Sequence, residues 1–190
     1  SLHHIDREHG VQFQYRSIET DVLAHCMERV TQMRLAELVS RELWQPLGCE
    51  HNACFTVDAA GYALADGGFN AALRDYARFG LMLLHKGFGN GRQIVPAAWV
   101  DDIKAADPAL FGAPYTDAAP NGAYRNQFWI EDVHTRAYMA RGVFGQLIYI
   151  DPIHDLVSVK LSTWPEFTSV PRLRDSLSAL HAIVTHLHSK

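Results

Sequence analysis

Gly145-Gln146-Leu147-Ile148-Tyr149-Ile150-Asp151-Pro152-Ile153-His154-Asp155-Leu156-Val157-Ser158-Val159-Lys160-Leu161-Ser162 is the stretch on which the reading of the fold turns. It holds two runs rich in β-branched and aromatic residues, Gly145 to Ile150 and Leu156 to Ser162, divided by the turn signal Asp151-Pro152. So short a link cannot contain the crossover that parallel strands require, so the two runs pair antiparallel. Upstream, Gln127 to Ile130 is a third strand of the same kind, and Tyr138 to Val143 is a candidate for a further one between them.

Outside this meander the apolar residues recur at helical spacing. From Ile18 to Thr31, the residues Val22, Leu23, Cys26, Met27 and Val30 recur at helical spacing behind Ser17 as N-cap. A second pattern, from Leu35 to Leu43, runs into Trp44-Gln45-Pro46-Leu47-Gly48, where Pro and Gly are expected to stop it, and the two helices are expected to pair. After Asp66-Gly67-Gly68 a helix is expected over 70–86, followed by a Gly-rich hairpin from Gly87 to Gly91 and a short helix from Pro96 to Lys104. Residues 107–126 are dense in Pro, Gly, Asp and Asn and read as loop. The end, Pro171 to His188, is helical through Leu173, Leu177, Leu180 and Val184. Helices first, then a meander and a closing helix, define an α+β chain.

The composition, 48% hydrophobic and 20% charged over 190 residues, is that of a soluble globular protein with a real core. A net charge of -4 with scattered Lys and Arg gives no electrostatic footprint for nucleic acid. No apolar run approaches the roughly 20 residues of a membrane span. Cys26, Cys49 and Cys54 match neither a disulfide framework nor a metal knuckle and read as free thiols. His181, His186 and His188 crowd the last helix, but their gaps are not those of a one-face metal pair, so they read as an exposed polar face. No metal and no cofactor is expected. The opening Ser1-Leu2-His3-His4-Ile5 has neither an initiator Met nor the charged-then-apolar pattern of a secretory signal, so the chain is expected to start within something longer. The compartment stays open, with the cytoplasm as the expectation.

No nucleophile is marked by local sequence. There is no G-x-S-x-G, and three positions before Lys86, Lys104, Lys160 and Lys190 stand Leu83, Asp101, Val157 and Leu187, so there is no S-x-x-K. Three other segments carry candidate chemistry. Tyr15-Arg16-Ser17 places two hydroxyls at the entrance to a helix, either as a cleft pair or as a core tyrosine beside a cap. Arg141-Gly142-Val143-Phe144-Gly145 brackets a strand start with glycines, either for close approach to an oxyanion or as a bulge. Asp66-Gly67-Gly68 is either plain turn chemistry or a turn that places the Asp66 carboxylate at a pocket rim.

In this order the segments resemble the serine hydrolases of the class C β-lactamase family, most nearly its nylon-oligomer amidases. The likeness is carried by Phe13-Gln14-Tyr15-Arg16-Ser17 with Thr20-Asp21-Val22-Leu23, Glu42-Leu43-Trp44-Gln45-Pro46-Leu47-Gly48, Asp66-Gly67-Gly68, and Arg74-Asp75-Tyr76-Ala77-Arg78-Phe79-Gly80. It continues through Gly142-Val143-Phe144-Gly145-Gln146, Asp151-Pro152 and Val159-Lys160-Leu161-Ser162 with Trp164-Pro165. The resemblance implies that Tyr15 relays a proton between nucleophile and leaving group, that Ser17 orients the lysine or the substrate, and that the Val143 N–H is an oxyanion-hole donor. It also makes Asp66, Trp129, Arg141 and Gly142 substrate-side groups. Asp66 replaces an Asn of the nylon-oligomer amidases, and Ala140-Arg141-Gly142 replaces the K-T-G triplet, which favours a small amide or ester over a β-lactam.

The resemblance further implies the C-terminal portion of the β-lactamase/transpeptidase-like fold. Residues 1–105 would be part of a helical lobe, and residues 106–190 the antiparallel strands and closing helix of an α/β lobe. The S-x-x-K motif and the remaining strands are expected in an N-terminal half outside this chain, which would act as its partner, and the isolated chain is expected to be inactive. The alternative is a non-catalytic binding module of the penicillin-recognising fold.

Overall fold

The computed structural model describes residues 8–189, without the side chain of His188. The readings made above on Ser1-Leu2-His3-His4-Ile5 and on the His188 side chain therefore lie outside the described residues. The chain runs through α1 (Ser17–Thr31), α2 (Leu35–Val39), a π-helical turn (Ser40–Trp44) and α3 (Gln45–Leu47). Two short strands, β1 (Cys54–Phe55) and β2 (Phe69–Asn70), pair across the intervening loop, and α4 (Leu73–Leu84) follows. Next come the hairpin β3 (Phe88–Gly89) and β4 (Arg92–Gln93), then α5 (Ala97–Ile103). Five antiparallel strands complete the sheet in chain order: β5 (Ala123–Arg125), β6 (Phe128–Ile130), β7 (Tyr138–Arg141), β8 (Leu147–Asp151) and β9 (Leu156–Lys160). The long helix α6 (Val170–His188) closes the chain.

The period-2 pattern of the strands places a helix on each face of the sheet. Ile130, Tyr138 and Ile150 point to one face and pack with Met82 and Leu83 of α4. Met139, Leu147 and Tyr149 point to the other and pack with Leu173, Leu177 and Leu180 of α6. Each such side chain removed from water contributes about 1.5–3 kcal/mol, so these two seams account for the coherence of the three layers. Gly80 lets α4 settle on the sheet, since a Cβ there would lie 2.6 Å from Val157 Cγ1. Among the described residues, no helix is long and apolar enough to cross a membrane.

Several local expectations need correction. Ser17 is not the N-cap of α1: Arg16 holds the extended cap conformation (φ -140°, ψ 108°) and Ser17 is the first helical residue. Pro46 does not stop the second helix. The chain widens to a π turn in which the Gln45 N–H reaches Ser40 O, five residues back, and the helical path runs on to Gly48, whose φ of 71° ends it. The helix expected over 70–86 is shorter at both ends, and β5 lies within what read as loop. The strand expected from Gly145 begins at Leu147, because Phe144 (φ 55°) and Gly145 (φ 87°) turn the chain left-handed just before it.

Candidate functional site

Tyr15 sits at the mouth of α1 and is held by a loop far away in sequence. Its backbone N–H donates to Tyr115 Oη at 2.9 Å, and two residues earlier Phe13 N–H donates to Leu110 O at 2.7 Å. Phe13 then stacks on Tyr124, with ring centroids 4.3 Å apart, and packs against Phe111 and Tyr115. The segment entering α1 is thereby docked on the 107–126 loop, whose aromatic residues serve as its floor. The Tyr15 ring lies 5.5 Å from that of Trp129 on β6. Trp129 also carries the guanidinium of Arg141, 4.4 Å from its ring centroid. So the structure brings Tyr15, Trp129 and Arg141 together, and Arg141 leads directly into Gly142 and Val143.

The Ala140-Arg141-Gly142 triplet ends β7 at a gap in the sheet. β6 pairs with β7 only at Tyr138 and Met139, leaving Ala140 and Arg141 hydrogen-bonded to β8 alone. The Gly142 N–H donates to Gln146 O, Phe144 N–H to Phe167 O and Gln146 N–H to Val143 O, which locks the turn. Val143 is the first residue of this 3-10 turn and is 39% exposed, and among the described residues its N–H meets no acceptor. Gly145 fits under Trp164, where a Cβ would lie 2.3 Å from the indole.

Asp66 is exposed on a loop tied to the helix that Tyr15 opens. Asp21, one turn into α1, accepts hydrogen bonds from the Ala65 N–H (2.8 Å) and the Asp66 N–H (3.2 Å) through the same carboxylate oxygen. Thr20 of the same turn donates to Gln127 Oε1 at 3.4 Å, and Tyr124 Oη donates to that oxygen at 2.9 Å. Ser17 is exposed on this face-forming first turn. Asp21, Tyr115 and Tyr124 were not singled out from the sequence. The only signal for the two tyrosines was the density of aromatic residues in a segment otherwise rich in Pro and Gly, and Asp21 stood only within the Thr20-Asp21-Val22-Leu23 run that carries the resemblance.

Burial separates the two tyrosines. Burial pushes the Tyr124 hydroxyl well above its usual range, with the charges of Tyr15 and Glu19 adding to the effect, so Tyr124 stays protonated and acts as a fixed donor. Tyr15 is 39% exposed and keeps its phenol accessible. Burial lowers the pKa of Arg141, opposed by the charge of an ionised Tyr15. Among the described residues no three His, Cys, Asp or Glu side chains converge as a metal site requires. His181 is more than part of a polar face: its Nε2 lies 3.0 Å from Glu131 Oε1, and Glu131 also accepts from Tyr149 Oη at 2.9 Å, which pins α6 to the sheet.

The sequence of residues 2–182 matches the family model described as Beta-lactamase. A curated relative, the 6-aminohexanoate-dimer hydrolase of Paenarthrobacter ureafaciens, is 39% identical over 157 residues, which is 82% of this chain and 40% of the relative. A solved Bacillus anthracis protein assigned as a 6-aminohexanoate-dimer hydrolase superposes with a TM-score of 0.82 at 33% identity, covering 95% of this chain and 45% of the other. Simvastatin synthase from Aspergillus terreus shares the fold, with a TM-score of 0.68 at 17% identity over 90% of this chain and 53% of that one. The chain thus spans less than half the length of the 6-aminohexanoate-dimer hydrolases it matches. A helix-flanked antiparallel sheet, a tyrosine at the mouth of α1 beside the strand-end triplet, and these sequence and structural matches together place the chain in the beta-lactamase family.

Proposed function

We propose that this chain supplies the tyrosine and oxyanion side of a serine hydrolase site that cleaves a small amide or ester through an acyl-enzyme. The observation that carries the reading is the continuous contact from Tyr15 through Trp129 to Arg141, next to a Val143 N–H without an acceptor among the described residues. In this reading a serine with its lysine one helical turn on, borne by a part of the fold outside this chain, attacks the substrate carbonyl carbon. The serine proton passes toward Tyr15 Oη, the carbonyl oxygen becomes an oxyanion that accepts from the Val143 N–H, and Tyr15 returns a proton to the departing nitrogen or oxygen. Ser17 orients the lysine or the substrate, while Asp66, Trp129, Arg141 and Gly142 line the substrate side. Water then releases the acid by the same steps in reverse. The 1–105 and 106–190 segments are, on this view, the contributions of this chain to a helical and an α/β lobe.

The test uses a polypeptide in which this chain accompanies the segment bearing S-x-x-K. Tyr15→Phe is expected to lower kcat by on the order of 10²-fold or more with little change in KM, because the lost group acts on the proton in flight. A change confined to KM would remove Tyr15 from the relay. The 190-residue chain alone is expected to give no acyl adduct with an activated ester in intact-mass measurements, and an adduct on one of its own serines would refute the division of labour.

A further inference from the structure

The turn between β5 and β6 departs from what its own geometry favours. Arg125 pairs with Phe128, which leaves Asn126-Gln127 as a two-residue hairpin loop, and both residues have positive φ, 50° and 68°. A loop of this kind takes Asn-Gly most readily, because Gly reaches positive φ without a Cβ penalty. Asn at the first position fits that preference, and Gln at the second does not. Gln127 is exposed, so burial does not offset the backbone penalty. What the side chain gains is contact: its Oε1 accepts from Tyr124 Oη at 2.9 Å and from Thr20 Oγ1 at 3.4 Å.

Both contacts lead to the segment that carries Tyr15. Phe13 stacks on the Tyr124 ring with centroids 4.3 Å apart, and the Tyr15 ring meets Tyr124 edge-on at 6.1 Å. Burial keeps the Tyr124 hydroxyl protonated, and Gln127 is the acceptor that fixes where it points. Thr20 belongs to the first turn of α1. On its other flank the hairpin is tied to α5, where Asp102 accepts from Arg125 Nε at 2.9 Å, Arg125 Nη2 at 2.8 Å and Asn126 Nδ2 at 2.9 Å. The turn is thus anchored on α5 and presents Gln127 to α1.

We propose that Gln127 is a positioning residue for Tyr15: standing where the turn would favour glycine, its amide oxygen fixes Tyr124 and the first turn of α1, and through them the relay phenol. Its effect on rate rests on the acyl-transfer reading of Tyr15. Its effect on the order of residues 13–20 does not, so the two can fail separately.

The test uses the polypeptide that also bears S-x-x-K. Gln127→Gly relaxes the turn and removes the oxygen, so the melting temperature should hold or rise while kcat falls by on the order of 10-fold with KM within ~2-fold. Gln127→Asn tolerates the positive φ but is one methylene too short to reach, and should lose the same rate. Gln127→Glu keeps both reach and acceptor and should stay within ~3-fold of the parent kcat. Amide exchange at Phe13 and Tyr15 should quicken in the Gly and Asn variants and hold in the Glu variant. Unchanged exchange at both amides overturns the proposal, as does a melting temperature that falls in the Gly variant together with its rate, or a rate loss that Glu shares. If exchange responds as expected but Tyr15→Phe leaves kcat intact, the acyl-transfer reading fails and the positioning stands. If Tyr15→Phe is slow but neither exchange nor kcat responds at position 127, the reading stands and Gln127 is removed from it.

Discussion

The hydroxyl of Tyr115 accepts a hydrogen bond from the backbone N–H of Tyr15 at 2.9 Å, so the position of one phenol is set by another a hundred residues later in the chain. Tyr115→Phe keeps the aromatic packing and removes only this acceptor. A single half-exposed hydrogen bond of this kind contributes about 1 kcal/mol, so thermal unfolding should shift down by a few degrees and amide exchange at Tyr15 should quicken. Unchanged exchange at Tyr15 would show that the aromatic stack alone holds the segment.

Val143→Pro isolates the proposed oxyanion donor. The position is the first of a 3-10 turn, where Pro is tolerated because no intrahelical partner is lost, and the preceding Gly142 is already extended (φ -110°, ψ 166°). In the polypeptide that also carries S-x-x-K, kcat should fall by roughly 10²–10³-fold while the melting temperature holds. Full activity in the folded Pro variant would assign the oxyanion to other donors.

Gly145→Ala tests the turn beneath that donor. The substitution puts a Cβ on a residue with φ of 87° and against the indole of Trp164, at 2.3 Å. A cost of about 2–3 kcal/mol is expected from the combined backbone strain and overpacking, read in a denaturation midpoint. Gly91→Ala is the comparison: its φ is 75°, yet nothing lies within 4 Å of the added Cβ, so only the smaller backbone penalty of about 1 kcal/mol applies.

Asp75 gives the fold an acid limit. It is fully buried on α4, and burial alone would raise its pKa. Hydrogen bonds from the Glu50 and His51 N–H groups, from the His51 ring and from Arg78 outweigh that and hold the carboxyl below its ordinary 3.8. A pKa lower in the folded state than in the unfolded one adds stability that is complete above the unfolded value and is lost as pH falls through the folded value. Stability should therefore decline below about pH 4. Asp75→Asn should flatten that decline and cost about 2–4 kcal/mol at neutral pH, because Asn cannot satisfy all four donors. An equally steep acid limb in the Asn variant would place the proton uptake elsewhere.

What the sequence revealed was what local periodicity controls. The spacing of Phe79, Leu83 and Leu84 and that of Leu173, Leu177 and Leu180 marks α4 and α6, because each buries one stripe on a sheet face, although Leu73 of the same pattern stays exposed. The β-branched and aromatic run from Leu147 to Ile150, closed by Asp151-Pro152, marks β8, which is apolar throughout because both its faces are buried. β5 was hidden because its three residues owe their conformation to pairing with β6 and to the packing of Ala123, not to their own propensity. The left-handed Phe144 was hidden because a positive φ in a non-glycine residue is imposed by tertiary contacts, here the hydrogen bond to Phe167 O. In the candidate site Tyr15, Trp129 and Arg141 were named from sequence and stand together. Asp21 was passed over as a site residue because the two N–H groups that donate to it lie some forty residues downstream, and no short-range pattern encodes such a contact.

The Asp21 carboxylate makes helix and loop a single exchangeable cassette. A chimera that takes residues 58–68 from a relative without the matching first turns of α1 strands two amides and a carboxylate, whereas moving both segments carries the junction intact. Engineers seeking altered selectivity by loop grafting should transplant the pair.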